Sequence, residues 1–271
     1  MASFRKKGTK EKTPLEIHKE NEKNKKILFT IEFRRDGNGD FVKKLPGCLA
    51  ISDYDMLRCQ GHILEPSEAR CFNDEILNSG LRFAVDKIFP DIISQPIRVS
   101  STTFYSSLTT PYNQKAYADE DWMYEHLDSY CRVINDLKYY DIFSMDWVFV
   151  PINSGFHWSA AVLVQPRLLL SPSTSHACKV FHVDSLNYHD TATIGEALKH
   201  YILQAFLDDR NAEERDKHDE LHMRMTIAEI EVTRLSASQQ LNNSDCGVYV
   251  DIFFERLLRA YKESVDAGLV Y

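Results

Sequence analysis

Apolar and polar positions follow two different repeats along this chain, and each repeat predicts a kind of element. Where apolar side chains recur every three or four positions, the pattern is typical of an amphipathic helix, and Asn73 or Asp74 is available to cap the first one. This helical repeat covers residues 72–90, 119–138, 192–207 and 247–266.

Extended segments lie between the second and third of these helices. Three β-rich runs follow one another: WVFVPI (147–152), WSAAVLVQ (158–165) and KVFHVDS (179–185). The Pro/Ser-rich residues 166–177 predict a surface loop, and residues 208–222 indicate a charged, exposed insertion or a helix end. Alternation over 223–235 predicts a further strand with a bulge near Ala228. Helices that flank several consecutive strands indicate one α+β domain.

The N-terminal segment differs in composition from the rest. Residues 1–26 hold nine Lys or Arg and four Glu with few apolar positions, which predicts a basic, disordered arm of net charge +5. The whole chain carries −8, so residues 27–271 carry −13, and we assign them to a single domain that opens with a hairpin over 27–33 and 41–45. A partner docked on this acidic body is expected to present basic residues.

The composition excludes several classes of protein. A hydrophobic content of 44% and a charged content of 27% are ordinary for a globular chain. The longest apolar run is about seven residues, far short of the ~20 that cross a membrane, and no apolar stretch follows the basic N-terminus as it would in a signal peptide. A net charge of −8 argues against general nucleic-acid binding. We therefore expect a chain that requires neither a membrane nor nucleic acid.

The segment before the last predicted helix carries the strongest chemical signal. It reads Gln240-Leu-Asn-Asn-Ser-Asp-Cys246-Gly247, so that a cysteine opens the helix. Unpaired backbone N–H groups and the positive end of the helix dipole favour a thiolate there, and the thiolate is the nucleophilic form of cysteine. Gly247 leaves space for a substrate backbone beside the sulfur. A merely packed cysteine after a capping aspartate is the alternative interpretation.

A general base and a group that orients it are also present. His157 lies between the first and second strand runs, at the edge of the predicted sheet, and Asp184 ends the third run. If these strands are neighbours, Asp184 accepts the Nδ1–H of His157 and turns Nε2 toward the sulfur, which is the geometry of a nucleophile–histidine–carboxylate triad. Each residue alone is also compatible with an ordinary polar position at a strand edge.

These motifs together resemble the SUMO/sentrin-specific cysteine proteases, the ubiquitin-like-protein proteases. The resemblance rests on FVPIN followed by His157-Trp158, on HVDSL, and on QLNNSDCGVYV, in which a glutamine precedes the cysteine by six positions. FNDEILNSG and VSSTTFYSSL resemble two further blocks of that family. The resemblance covers about residues 50–260 and implies a papain-like α+β fold with a mixed central sheet, flanking helices and a nucleophile at the N-terminus of a late helix.

The resemblance also implies a role for each matching residue. Cys246 is the nucleophile, His157 its general base, Asp184 the residue that orients the base, and Gln240 a donor to the oxyanion. Trp158 roofs a narrow channel for the Gly-Gly end of a modifier, and Asp74 faces a basic residue on that modifier. The remaining substrate-binding residues are Phe72, Asn73 and Gly247. One position departs from the family pattern, because Cys71 stands where the family has the tryptophan of W-L-N-D.

The implied activity is that of a cysteine-type endopeptidase and isopeptidase, a deSUMOylase. It cleaves after the C-terminal Gly-Gly of a SUMO-type modifier, either to mature a precursor or to release a lysine. No cofactor and no metal are required. The expected partners are the modifier and its protein conjugates, the expected state is a monomer, and the expected location is the nucleus or the cytoplasm.

Other functions remain open at this point. The same triad serves a protease for ubiquitin or for another ubiquitin-like modifier, and a related fold serves an acetyltransferase. A module that binds modified proteins without cutting them is a further alternative, although it needs none of the four catalytic residues. A zinc site over His218 and His222 lacks the glutamate that should follow the first histidine directly.

Overall fold

The computed structural model describes residues 12–24, 27–30, 50–52, 71–88, 96–109, 141–171, 178–208 and 219–268. The helices in these ranges are α1 (Pro14–Asn24), α2 (Asp74–Ile88), α3 (Phe104–Thr109), α4 (Thr191–Leu207), α5 (Glu220–Ala228) and α6 (Cys246–Asp266). The strands are β1 (Ile27–Thr30), β2 (Ala50–Ser52), β3 (Ile97–Val99), β4 (Trp147–Ser154), β5 (His157–Val164), β6 (Lys179–Val183) and β7 (Glu231–Arg234). Short 3₁₀ turns cover Ile142–Ser144 and Pro166–Leu170.

The centre of the fold is a five-stranded mixed sheet in the order β3-β4-β5-β6-β7. Strands β4, β5 and β6 are the three predicted β-rich runs, and they pair antiparallel as consecutive neighbours. The outer strands β3 and β7 each run parallel to the strand beside them. The α+β class with a mixed sheet between helices is therefore confirmed.

Both faces of this sheet are buried. Alternate side chains of β4 point to opposite sides, so that Val148 and Val150 pack against α3 and α4, whereas Phe149 packs against α2 and α6. Residues buried on both sides explain why the strand runs are almost continuously apolar rather than alternating. The helix that starts with Cys246 lies on the same face as Phe149.

A two-residue turn between β4 and β5 fixes where His157 lies. Ser154 pairs with His157 across the hairpin, and the loop consists of Gly155 and Phe156, with φ angles of 60° and 62°. Two successive positive φ angles match the right-handed twist of a hairpin. His157 is consequently the first residue of β5, at the end of the sheet, as the sequence predicts.

One predicted element is wrong in the C-terminal half. Residues expected to form one long bulged strand instead form helix α5 followed by the short strand β7. Asp219 caps α5 by accepting a hydrogen bond from Leu221 N, and Met223 and Ile227 bury one face of the helix four positions apart. Within the predicted loop 166–177, residues Pro166–Leu170 form a 3₁₀ turn.

The predicted disordered arm contains helix α1. Its start carries a capping box, in which Glu16 N donates to Thr13 Oγ1 at 3.3 Å and Thr13 N donates to Glu16 Oε2 at 2.8 Å. Pro14 at the first helical position suits this start, because its missing N–H has no partner there in any helix. The Lys- and Glu-rich composition of residues 1–26 predicts disorder, although the capping residues Thr13 and Glu16 are present in the sequence.

The remaining predictions near the N-terminus are only partly covered. Strand β1 forms as expected, but it pairs with β2, and the predicted partner 41–45 lies outside the described residues. The predicted helix 119–138 also lies outside them. Within the described part of the chain, the helices are too short or too polar to cross a bilayer.

Candidate active site

His157 and Asp184 meet at the end of the sheet. Strands β5 and β6 are neighbours, with Ala160 opposite Val183, and this pairing brings His157 Nε2 to 2.7 Å from Asp184 Oδ1. Both side chains are buried. The sequence predicts that Nδ1 of His157 hydrogen-bonds to Asp184, whereas in the structure Nε2 makes this bond. Nδ1 is therefore the ring nitrogen on the side away from Asp184.

Asp184 is held by backbone groups as well as by the histidine. Leu186 N donates to Oδ1 and His189 N donates to Oδ2, each at 2.8 Å. Burial by itself raises the pKa of Asp184, but the hydrogen bonds from His157, His189 and Leu186 lower that pKa to well below its usual value. The carboxylate is consequently ionised and fixed in orientation.

A buried hydrogen-bond chain lies behind this pair and was not predicted from the sequence. His189 Nδ1 contacts Ser159 Oγ at 2.7 Å, and the same hydroxyl contacts His182 Nε2 at 3.2 Å. Desolvation lowers the pKa of His182 to about 4 and also lowers the pKa of His189, so both rings are neutral near pH 7. The available signal was the spacing, since these histidines flank Asp184 at two positions before it and five after it.

The ring of His189 also packs beside that of His157, with centroids 5.0 Å apart. His157, Asp184 and His189 each have an atom that could bind a metal ion, and these three atoms lie within 4.8 Å of one another. These residues already hydrogen-bond to protein groups, because His189 Nε2 contacts Ser154 O at 2.9 Å and His157 Nε2 contacts Asp184 Oδ1. This arrangement suits a histidine held in one orientation for proton transfer.

Cys246 is the first residue of α6 and is 1% exposed. Cys246 packs in the same core cluster as Trp158, the residue that follows His157, and the backbone N–H groups of Trp158 and Gly247 lower the pKa of its thiol. A hydrogen bond to the Cys71 thiol and then burial raise the pKa of Cys246, and they outweigh the backbone N–H groups, which lower it. The position at the start of a helix predicts a thiolate. Because the pKa of Cys246 is raised instead, its resting form is the thiol.

Phe72 contacts both Trp158, beside the histidine, and Gly247, beside the cysteine. Trp158 is 2% exposed, and its indole Nε1 donates to the carbonyl oxygen of Phe72 at 2.9 Å. An ideal Cβ on Gly247 would lie 2.7 Å from the Cβ of Phe72, so only glycine fits there. The space that was expected to admit a substrate backbone beside Gly247 is thus filled by Phe72. The role of Trp158 as a channel wall stays a prediction.

Asn73 and Asp74 lie at the start of α2, next to this junction. Asn73 Oδ1 accepts a hydrogen bond from Ile76 N at 2.9 Å, which makes Asn73 the cap of the helix. Asp74 is the first residue of α2 and is half-buried. A substrate role for either residue stays a prediction, and the capping bond gives Asn73 a structural task of its own.

Gln240 is buried in the loop that leads to Cys246. Its Oε1 accepts a hydrogen bond from Ser185 Oγ, and its Nε2 donates to Asn242 O, each at 2.6 Å. Because Ser185 follows Asp184, this bond ties the loop of the nucleophile to the end of the strand that carries the carboxylate. The role of Gln240 as a donor to an oxyanion stays a prediction.

Fold and site together define a mixed α+β domain in which a helix-opening cysteine packs in the same core cluster as Trp158, the residue next to the histidine of a buried histidine–carboxylate pair. Residues 70–269 match the model of the Ulp1 protease family, C-terminal catalytic domain. Because that match covers most of the chain, the chain belongs to the Ulp1 protease family.

Individual relatives are distant. The chain is 24% identical to ubiquitin-like protease 4 of Caenorhabditis elegans over 208 residues, covering 73% of this chain and 49% of the relative. It is 26% identical to a sentrin-specific protease of the same organism over 200 residues, covering 73% of this chain and 23% of the relative. The chain thus spans half or less of the length of these relatives.

A solved structure supports the fold. A de-sumoylating protease superposes with a TM-score of 0.58 at 19% identity, covering 90% of this chain and 76% of the other. At this level of identity the similarity establishes the fold alone.

Proposed function

We propose that this protein is a cysteine protease that cleaves after the C-terminal Gly-Gly of a SUMO-type modifier. One observation carries the proposal: the buried His157–Asp184 pair is followed on β5 by Trp158, which packs in the same core cluster as Cys246, the first residue of α6. Membership of the Ulp1 protease family supports the same reaction class. The names of the relatives, a ubiquitin-like protease and a sentrin-specific protease, support the substrate class.

The first step is a proton transfer. Since Asp184 holds Nε2 of His157, the Nδ1 atom takes the proton from Cys246 and leaves a thiolate. The imidazolium that forms is stabilised by the ionised carboxylate. The raised pKa of Cys246 makes this transfer necessary, because the resting cysteine is protonated. The thiolate then attacks the carbonyl carbon of the last glycine of the modifier.

The second part of the reaction moves charge and the leaving group. The oxygen of the attacked carbonyl gains negative charge and accepts hydrogen bonds from the Gln240 amide and from the backbone at the start of α6, worth ~2.7–4 kcal/mol per donor in comparable sites. His157 Nδ1–H then protonates the departing amine. Water attacks the thioester, gives its proton to His157, and releases the modifier carboxylate and the free thiol.

The surface around the site offers apolar contacts to such a substrate. Phe156 is 84% exposed on the turn before His157, and Leu241 is fully exposed beside Gln240. Tyr188 is exposed and lies edge-on to His157, with centroids 5.5 Å apart. Large exposed apolar groups around a buried catalytic pair are typical of a surface that binds another protein.

A panel of activity probes tests the proposal. Vinyl-sulfone probes built on SUMO, on a Nedd-type modifier and on ubiquitin are incubated with the wild-type chain and with Cys246→Ala. We expect the SUMO probe to label the wild type and none of the probes to label Cys246→Ala. Cys178→Ala is the matched control, because Cys178 is a buried thiol of the opposite core cluster and its loss should leave labelling intact.

Each outcome has a clear meaning. Labelling by the Nedd-type or ubiquitin probe alone would show that the protein acts on that modifier instead of SUMO, with the same cysteine protease chemistry. A wild-type chain that reacts with none of the probes would contradict the proposed function.

A further inference from the structure

Two cysteines lie near each other at the start of α6, and the mechanism above uses only one of them. The sulfur of Cys71 lies 3.7 Å from the carbonyl oxygen of Asn243, three residues before Cys246, and the interaction with Cys71 is the largest cause of the raised pKa of Cys246. Both are unbridged thiols in this structure. A second thiol near a nucleophilic sulfur is a chemical feature that the protease reaction does not require.

The chain segments that carry these thiols pack closely against each other. At the residues that directly follow the two cysteines, an ideal Cβ on Gly247 would lie 2.7 Å from the Cβ of Phe72. The hydrogen bond from Trp158 Nε1 to Phe72 O fixes Phe72, the residue after Cys71, in this position. The two cysteines are therefore carried by segments that are already held together.

We propose that Cys71 and Cys246 form a reversible disulfide when the protein meets a hydroperoxide, which makes this thiol pair an oxidation site. The first sulfur attacks the terminal oxygen of the hydroperoxide, and a sulfenic acid and an alcohol or water result. The second thiol displaces the hydroxyl group of the sulfenic acid, so that one S–S bond forms and one water leaves. Two thiols are oxidised and one hydroperoxide is reduced.

The exposure of the two sulfurs gives the order of attack. Cys71 is half-buried, whereas Cys246 is 1% exposed, so the hydroperoxide reaches Cys71 first. Cys246, which lies near Cys71, is placed to capture the sulfenic acid. The disulfide removes the nucleophile and also keeps Cys246 from irreversible oxidation to a sulfinic acid. Only the loss of protease activity rests on the proposed function; the disulfide does not.

Peptide mapping tests the bridge directly. The full chain is treated with hydrogen peroxide, alkylated and digested with trypsin without reductant. Cleavage after Arg70, Arg82, Arg234 and Arg256 gives peptides 71–82 and 235–256, each with a single cysteine. We expect these two peptides to be linked after peroxide, two hydrogens lighter than their sum, and to separate on treatment with dithiothreitol. Probe labelling should be lost with peroxide and return with dithiothreitol.

Two variants make the result specific. In Cys71→Ser no linked peptide should form, and peroxide should abolish labelling in a way that dithiothreitol does not reverse. In Cys246→Ser, a sulfenic-acid trap such as dimedone should mark peptide 71–82. Cys178→Ser should behave as the wild type.

The two proposals can fail separately. Peroxide-treated wild type without the linked peptide, but with Cys246 as sulfinic acid, would overturn the oxidation site and leave the protease. A linked peptide in a chain that labels with no probe would keep the oxidation site and contradict the protease.

Discussion

Asp184 keeps its charge at a buried position because three hydrogen bonds compensate for the loss of water. One of them comes from His157, and two come from backbone N–H groups. A carboxylate that is fixed in this way can hold one ring nitrogen of the histidine and leave the other for chemistry.

Replacing Asp184 with asparagine should therefore reduce the reaction more than the fold. The amide keeps the shape but loses the charge and the preference for one tautomer, so kcat/KM should fall by about 10²- to 10⁴-fold. Steady-state cleavage of a fluorogenic SUMO C-terminal substrate measures this. Asp219→Asn is the control, since asparagine caps α5 as well as aspartate does. A change below about twofold in Asp184→Asn would contradict the orienting role.

The contact between Cys71 and Cys246 makes a second prediction at this scale. Because the hydrogen bond to Cys71 raises the pKa of Cys246, Cys71→Ala should lower that pKa. The rate at which iodoacetamide alkylates Cys246, plotted against pH, should shift toward lower pH in the variant. Cys178→Ala should leave the curve in place, and an unshifted curve in Cys71→Ala would show that the thiol contact has no influence on Cys246.

The residues of the site could be predicted from sequence more easily than their atoms. A histidine at a strand start and an aspartate at the next strand end meet whenever those strands are neighbours, and this local logic located His157 and Asp184. Which ring nitrogen faces the carboxylate depends on a side-chain rotation that no spacing encodes. The contact of Cys71 with Cys246 joins distant parts of the chain and leaves no periodic signal.

At the scale of elements, the turn between β4 and β5 positions the histidine. Gly155 has a φ angle of 60°, and an ideal Cβ there would lie 2.7 Å from the Tyr188 hydroxyl. Gly155→Ala should cost about 1–2 kcal/mol of backbone strain and should also lower kcat/KM by displacing Tyr188 and the start of β5. Gly268→Ala is a matched control, because its φ is 68° with no atom within 4 Å of the added Cβ.

Urea denaturation and cleavage rates measured side by side separate the two effects. Gly268→Ala should lose stability without losing catalysis in the folded protein. Equal catalytic rates in both variants would mean that the turn does not position the base.

The interface between α2 and α6 contains a carboxylate with no partner for one of its oxygens among the described residues. Asp251 Oδ1 is buried there, facing Gly80, where any Cβ would collide with the carboxylate. Desolvation, and then the charge of Glu255, raise the pKa of Asp251 to about 8. The folded protein thus keeps this proton over a range in which the unfolded chain has lost it.

The sign of the resulting pH dependence follows directly. The unfolded carboxyl ionises near pH ~3.9, so the free energy of unfolding should fall as the pH rises from about 4 to about 8 and then stay level. Asp251→Asn should remove this slope and gain about 1–3 kcal/mol at pH ~8. Urea denaturation across this range measures it. The exposed Asp266→Asn should keep the wild-type slope; a slope retained by Asp251→Asn would contradict the assignment.

Elements with strong local signals were predictable, and those that depend on context were not. The helix starting at Cys246 follows a clear apolar repeat that ends where the structure ends it. In contrast, Met223 and Ile227 fit both an alternating and a helical pattern, and the cap at Asp219 decides for the helix. The parallel pairing of β7 with β6 is set by packing across the sheet and could not be predicted from the strand itself.

For the whole molecule, charge separates a basic N-terminal segment from an acidic body. The body carries −13, and Asp74 at the start of α2 is proposed to face a basic residue of the modifier. Rim charges of this kind affect encounter and screening more than chemistry.

Asp74→Asn should therefore raise KM about two- to fivefold with little change in kcat, and the difference from wild type should shrink as salt is added. Initial rates on a full SUMO-type substrate at low and high ionic strength measure this. Glu263→Gln, an exposed charge loss on α6, should leave KM unchanged. A fall in kcat alone would contradict a docking role for Asp74.

Two of the three hydrogen bonds that fix Asp184 come from the amide nitrogens of positions 186 and 189. Every amino acid except proline supplies the same nitrogen. Substitutions at position 186, whose side chain is exposed, can therefore alter the outer surface of this turn while Asp184 keeps both backbone hydrogen bonds. The buried side chain at position 189 has hydrogen bonds of its own, so there the backbone bond is conserved but the side chain is not free to change.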